Sequence, residues 1–140
     1  MRELYVGGDG REHTRAFLQE GCFAGSLLDL LSDAPSVTWI EALEPTEAVV
    51  WPYRGLESLC ERFPELQVVM RRYAERLYVR KAKREHDMMA LSATERYEQW
   101  LRDEPLLDER LQRRHVASYL GMSPEFVSRL RRRARSPRAR

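Results

Sequence analysis

The sequence predicts an α+β chain, and three observations support this class. The first fifty residues are short apolar runs broken by Gly, Pro and Asp, which is typical of β-hairpins. One helical pattern then runs from residue 65 to about residue 91. Near the C-terminus two short helical patterns meet at Gly121, which predicts two helices joined by a tight turn.

The N-terminal hairpin is predicted from residues 4–6 and 11–18, which read as paired strands. The Gly-Gly-Asp-Gly run at residues 7–10 lies between them and suits a tight turn. No strand–loop–helix pattern with phosphate-cradling glycines follows, so we interpret this run as a plain hairpin turn. Residues 37–43 and 46–51 are two further strand candidates, and an apolar turn at residues 27–31 precedes them.

The middle of the chain is predicted to be helical. Residues 55–63 form a short amphipathic pattern that Pro64 ends, and the helix at residues 65–91 would be about 40 Å long. We expect its apolar stripe to pack against a second copy of the chain, because so long a helix outruns so small a body. Packing against the hairpins of the same chain is the alternative. The stripe includes Leu66, Met70, Tyr73 and Leu77.

A further helix is predicted at residues 93–102, because Ser92 and Glu95 have the spacing of a capping box. Residues 106–111 are interpreted as a connection. The two C-terminal helices follow. Val116, Ala117 and Leu120 share one face of the first helix, and Val127 and Leu130 form the inner stripe of the second.

The junction between these two helices has the residues that a tight turn requires. Gly121 can adopt the left-handed conformation that ends a helix, Ser123 can cap the next helix, and Pro124 suits its first position. The pattern predicts a helix-turn-helix, whose second helix enters a DNA major groove. An ordinary helical corner is the alternative, and the surrounding arginines argue against it.

The outer face of the second helix carries Glu125, Ser128 and Arg129 at spacing i, i+3, i+4. Arg129 could bind O6 and N7 of a guanine, and Glu125 could accept from a cytosine amine. A solvated Glu125–Arg129 ion pair explains the same spacing, and the spacing by itself does not favour either interpretation.

Charge and composition limit the partners. The chain has a net charge of +2, but residues 109–140 carry ten Arg and two Glu, a balance of +8, which leaves −6 for residues 1–108. A basic end of this kind favours an anionic polymer such as double-stranded DNA. The sequence contains no membrane span and no signal peptide. The two cysteines, Cys22 and Cys60, favour a reducing cytoplasmic location, and the three isolated histidines predict no metal site.

The chain resembles the Crp/Fnr family of bacterial transcription regulators. The resemblance rests on RAFLQEGCFAG (residues 15–25), PSVTWIEAL (35–43), ATERY (93–97) and, most specifically, HVASYLGMSPEFVSRLR (115–131). It implies a cyclic-nucleotide-binding-like β-roll at residues 1–54, a dimerisation region at 55–91 and a helix-turn-helix domain with a basic tail at 92–140. It also implies that Glu125, Ser128 and Arg129 read bases. The residues it implies for backbone phosphates are Gln112, Arg113 and Ser123, to which we add Arg132 and Arg133 from the basic segment.

The sequence departs from the family in its effector cassette. That cassette would comprise Gly21, Gly25, Ser26 and Ser36 here, and the two serines stand where nucleotide-binding members have a glutamate and an arginine. Without that arginine a buried cyclic phosphate lacks its charge partner, so we expect no response to cyclic AMP. Two cysteines cannot supply an iron–sulfur cluster, so no cofactor is expected. We also expect the N-terminal part of the roll to be absent, leaving a partial β-roll.

The function predicted from these features is sequence-specific DNA binding by a homodimer that regulates transcription, with RNA polymerase as a further partner. The alternative is a dimeric adaptor whose basic tail binds RNA or acidic protein surfaces nonspecifically. An enzyme is not expected, because the sequence shows no nucleophile–base pair, carboxylate pair or metal-ligand set.

Overall fold

The computed structural model describes residues 1–32 and 35–135, with the backbone alone for Arg135. Over these residues the chain is a mixed α+β structure with a small three-stranded antiparallel sheet and several helices, which confirms the predicted class. None of the described helices is both long and apolar enough to cross a membrane.

The sheet is built on the predicted hairpin. Strand β1 spans Arg2–Val6 and strand β2 spans Glu12–Phe17, and they pair antiparallel with a bulge between Glu3 and Leu4. The turn is closed by hydrogen bonds from Gly7 N to Arg11 O (2.8 Å) and from Gly10 N to Gly7 O (2.9 Å). Gly10 has a φ of 76°, a conformation that favours glycine. The hairpin prediction is confirmed.

Of the other two strand predictions, at residues 37–43 and 46–51, only the first is confirmed, and only in part. Of residues 37–43, only Trp39–Glu41 form a strand, β3, which pairs antiparallel with β1 and gives the order β2-β1-β3. Residues 46–51 form no strand, so that prediction is wrong. Since β2 and β3 already occupy both edges of β1, its hydrogen bonds are not available to another strand. Val49 and Val50 are 83% and 91% exposed, so no packing holds this run extended against the sheet.

Three helices occupy the middle of the chain. Helix α1 spans Leu27–Leu31, helix α2 spans Tyr53–Arg62, and helix α3 spans Pro64–Ala90 with Pro64 at its start. The 27 residues of α3 correspond to about 40 Å of helix, as the sequence predicts. No residue of α2 or α3 is buried.

Four helices follow. Helix α4 spans Ala93–Asp103, and the predicted capping box of Ser92 and Glu95 is present. Residues 106–111 are not a simple connection: helix α5 spans Pro105–Arg110. Pro105 begins that helix, because its fixed φ suits a first helical turn and its missing N–H needs no partner there. Helix α6 spans Arg113–Leu120 and helix α7 spans Pro124–Arg135.

The core joins the N-terminal hairpin to the C-terminal helices. Phe17 of β2 packs with Trp100 and Tyr119, at ring-centroid distances of 5.3 to 5.7 Å among the three. Ser118 on α6 binds β2 twice: its Oγ accepts from Thr14 N (2.8 Å) and donates to Glu12 O (2.9 Å). The hairpin therefore packs directly on α6.

The C-terminal end of α3 also contacts α6. Arg84 donates to Tyr119 O (2.9 Å), and its guanidinium lies 5.0 Å from the centroid of the Tyr119 ring. Lys83 pairs with Asp103 of α4 (3.1 Å). These contacts attach one end of α3 to the C-terminal helices.

Candidate nucleic-acid interface

Helices α6 and α7 meet in the turn that the sequence predicts. Gly121 has a φ of 68°, and the backbone N–H groups of Gly121 and Met122 both donate to Ala117 O. Ser123 Oγ accepts from Phe126 N (3.2 Å), and Pro124 begins α7. A side chain at Gly121 would be strained and would meet the Met88 side chain 2.8 Å away.

The predicted inner faces of both helices are buried. The side chains that hold the helices together are at most 6% exposed. They are Val116, Ala117, Leu120, Val127 and Leu130. Because these residues fill the space between α6 and α7, the opposite face of α7 is left to solvent.

Two of the three predicted base-reading residues are exposed on that outer face. Glu125 and Arg129 are exposed, and the Arg129 guanidinium lies 5.2 Å from the centroid of the Phe126 ring. Among the described residues no direct ion pair joins Glu125 to Arg129, although the Arg129 charge acts to lower the pKa of Glu125. The pKa of Glu125 is lowered by hydrogen bonds from its own backbone N–H and from Ser123.

Ser128, the third of these residues, is half-buried and bonded within the unit. Its Oγ donates to Pro124 O (2.8 Å) and accepts from Arg113 Nη1 (3.5 Å). Through the second bond it connects the start of α6 to the middle of α7. Its hydroxyl is therefore directed to Arg113 and the helix backbone in this structure.

A cationic cavity of about 280 Å³ lies beside this face. It is lined by Arg113 from α6 and by Ser128, Arg131 and Arg132 from α7. The Nε of Arg131 is buried and has no hydrogen-bond partner among the described residues. Guanidinium groups match the geometry of phosphate oxygens, so the cavity is suited to a phosphate.

The remaining predicted phosphate-contacting residues lie at the starts of α6 and α7 and near the C-terminal end of α7. Gln112 precedes α6 and makes no capping hydrogen bond, and Ser123 precedes α7. Arg133 is exposed near the end of α7. Helix N-termini favour anions because their first N–H groups lack intrahelical partners. Residues 136–140, the end of the predicted basic tail, lie outside the described residues.

A buried polar cluster that the sequence did not predict holds α7 in place. Asp108 of α5 is 3% exposed and accepts from Arg131 Nη2 (2.7 Å), from Trp100 Nε1 (3.1 Å) and from the Tyr97 hydroxyl (3.4 Å). Arg131 also donates to Asp108 O (2.7 Å). Burial acts to lower the pKa of Arg131, but its hydrogen bonds to Asp108 and Tyr97 raise it overall.

The cluster was missed because Asp108 lies in the segment interpreted as a connection and Arg131 lies in a run of arginines. A signal was available: Arg131 follows Val127 at i+4, next to the inner stripe, so its side chain borders the core.

The predicted effector cassette is occupied by the chain's own groups. Ser26 is buried, caps α1 by accepting from Asp29 N (3.4 Å), and also accepts from Arg15 (3.5 Å). Arg15 pairs with the buried Glu3 (3.7 Å), which accepts from Gly25 N (3.4 Å). Ser36 is exposed and donates to Asp29 (2.5 Å). Gly21 has a φ of 74° in the preceding turn.

The stripe predicted for dimerisation is half-buried within one chain. Leu66, Met70, Tyr73 and Leu77 are all of intermediate exposure. Part of this cover comes from Phe23, whose ring lies 5.0 Å from that of Tyr73 and whose carbonyl accepts from the Tyr73 hydroxyl (2.9 Å).

Neither a protein-family profile nor a curated protein matches this sequence.

Proposed function

We propose that the chain is a sequence-specific DNA-binding transcription regulator of Crp/Fnr type, which acts as a homodimer and does not respond to cyclic AMP. One observation carries the proposal. The exposed Arg129 and Glu125 stand beside a cavity lined by three arginines, on a helix that a left-handed glycine turn and a buried inner face hold against α6.

Side-chain chemistry suggests which residues would contact bases and which would contact phosphates. Arg129 presents a planar fork that fits O6 and N7 of a guanine, and Glu125 can accept from a cytosine amine. A backbone phosphate would enter the cavity between Arg113 and Arg132, and the helix starts at Gln112 and Ser123 would contact neighbouring phosphates. The phosphate contacts position α7 and the base contacts select the sequence.

The proposal also assigns a role to each of three consecutive regions of the chain. Residues 1–54 would be a partial cyclic-nucleotide-binding-like β-roll, 55–91 the dimerisation region and 92–140 the helix-turn-helix domain. The exposure of Val69 (51%) and Tyr78 (73%) beside the half-buried stripe of α3 supports a second copy on this helix.

Selection of bound sites from a random duplex pool tests the proposal. We expect enrichment of a palindrome whose half-sites are centred about 34–36 Å apart, because a two-fold dimer places its two reading helices one DNA turn apart. Binding to the enriched site should survive an excess of nonspecific DNA.

A matched pair of variants sharpens the selection. Arg129→Ala should lose the enriched motif, whereas Arg102→Ala, which removes an exposed arginine from α4, should retain it. If the wild type enriches no motif and the competitor removes all bound DNA, the nonspecific adaptor is favoured and the proposal fails.

A further inference from the structure

Phe126 is a half-buried aromatic residue in the first turn of α7, and no other residue of that helix is aromatic. Its backbone N–H donates to Ser123 Oγ (3.2 Å), and its side chain packs against the edge of the buried core. Because the residue is not fully buried, part of its surface remains open to a ligand.

Helical geometry places Phe126 beside Arg129. Residues three and four apart are neighbours on the surface of a helix. Arg129 follows Phe126 at i+3, and Arg133 follows Arg129 at i+4, so these three residues form one ridge along α7. Glu125 precedes Arg129 at i+4, so the ridge borders the outer face that carries Glu125 and Arg129. The Phe126 side chain therefore lies between the core and the face proposed to contact DNA.

The Arg129 guanidinium lies over the Phe126 ring, 5.2 Å from its centroid. A cation over an aromatic face is attracted to it, and arginine forms such contacts more often than lysine. A long side chain that is already held loses less conformational freedom when it binds. The ring therefore stabilises one placement of the Arg129 fork on the outer face of α7.

The separation of these two side chains relates them to neighbouring base pairs. Successive phosphates of one DNA strand are about 3.4 Å apart along the helix axis, and the bases follow the same repeat. With the fork on a guanine, a ring 5.2 Å from the guanidinium would reach the next base pair. The thymine methyl is the apolar group that bases present in the major groove. A phenyl ring can cover this methyl without leaving a polar atom unpaired.

We infer that Phe126 is a specificity-determining residue, whose ring contacts the methyl group of a thymine next to the guanine that Arg129 reads. A cytosine at that position has no methyl group and would bring its amine towards the ring. This inference rests on the proposed function and deepens it, because it names a second base of the bound site and the residue that selects it. Phe126 is also a positioning residue for Arg129.

The test replaces single thymines by uracil in the duplex selected from the random pool, because uracil differs from thymine only by the missing methyl group. The guanine that Arg129 reads is the position at which Arg129→Ala relaxes discrimination. Uracil beside this guanine should weaken binding of the full chain about fourfold in fluorescence anisotropy, the effect of losing one buried methyl group. Uracil between the two half-sites should leave binding unchanged.

The uracil series separates failure of this inference from failure of the proposed function. If no duplex is enriched, the proposed function fails and the inference fails with it. An enriched duplex that binds equally well with thymine or uracil beside the guanine overturns the role of Phe126 alone. An enriched motif without a thymine beside that guanine has the same meaning.

Three variants assign the methyl effect to the ring. Phe126→Ala should bind the thymine and uracil duplexes equally and relax discrimination at the guanine, whereas Phe126→Tyr, which keeps the ring, should retain both preferences. Leu101→Ala removes another half-buried side chain that packs against the same core, and it should also retain both. Circular dichroism melting checks that each variant folds. A folded Phe126→Ala that still prefers thymine, or a Leu101→Ala that loses the preference, would contradict the assignment.

Discussion

The C-terminal helices bury apolar side chains in the core, whereas the long helix α3 buries none of its own. Helices α4 and α6 together bury Tyr97, Trp100, Val116, Ala117 and Leu120, although they total only 19 residues (11 and 8). Helix α3 has 27 residues and buries none. Its Tyr78 and Val79 are 73% and 64% exposed.

The difference lies in what faces each helix. Short connections fold α4 to α7 back on one another, and the hairpin covers α6 from outside, so each apolar stripe meets another. Helix α3 contacts the C-terminal helices at one end only, through residues such as Arg84. Helical periodicity by itself therefore does not decide burial. A facing element must be present.

The largest expected effect is on the aromatic core. Trp100→Ala should lower the free energy of unfolding by about 3–5 kcal/mol, because it leaves a cavity and removes a hydrogen bond to Asp108. Val79→Ala on α3, away from the predicted dimer stripe, should change it by less than about 0.5 kcal/mol. Urea unfolding measures both. Equal losses would mean that the two regions do not differ as described.

The buried ion pair comes next. Asp108→Ala should cost about 3–5 kcal/mol, because it leaves the Arg131 charge buried without its partner. The double variant Asp108→Leu, Arg131→Met should recover most of that loss. On α3 the exposed Arg71–Glu75 pair provides the control, and Glu75→Ala should cost at most about 1 kcal/mol. A double variant as unstable as Asp108→Ala would argue against an uncompensated charge as the cause.

A smaller effect is expected on DNA affinity. Arg129→Ala should weaken binding to the selected site by about 1–3 kcal/mol and relax discrimination there. Arg133→Ala should weaken all sequences alike and make the salt dependence shallower, because it removes a phosphate contact only. Fluorescence anisotropy on selected and random duplexes measures both. Equal losses on both duplexes for the two variants would refute the assignment of Arg129 to base reading.

Association through α3 tests whether the exposed helix has a partner. Leu77→Arg should weaken self-association by at least about tenfold, equivalent to about 1.4 kcal/mol, because it buries like charges across a two-fold axis. Light scattering should find the wild type dimeric, and Val79→Ala, away from the predicted stripe, should remain dimeric. A monomeric wild type would favour the alternative in which the stripe packs only within its own chain.

No effect is expected from cyclic nucleotides. Glu3 already accepts from Gly25 N and pairs with Arg15, so an added phosphate would meet a buried carboxylate. Calorimetry should therefore detect no binding of cyclic AMP or cyclic GMP at sub-millimolar concentrations, and DNA affinity should not change. A micromolar dissociation constant would mean that Arg15 leaves Glu3 to bind the phosphate.

Elements defined by local chemistry could be predicted, and those defined by partners could not. The hairpin turn, the capping box at Ser92 and the left-handed Gly121 depend on a few adjacent residues, and all three are present. The strand expected at residues 46–51 has β-branched residues, but Val49 and Val50 are exposed and do not pack against the sheet. Helix α5 was not predicted, because its six residues are too few to show a helical period.

For the candidate site, spacing located Glu125, Arg129 and the inner stripe of α7, because helical geometry alone relates residues three and four apart. The contacts made by Asp108 with Arg131 and by Ser118 with Thr14 join residues far apart in the chain. Only the tertiary structure could decide these contacts, because the same polar side chains would remain solvated unless packing brought their partners within hydrogen-bond distance.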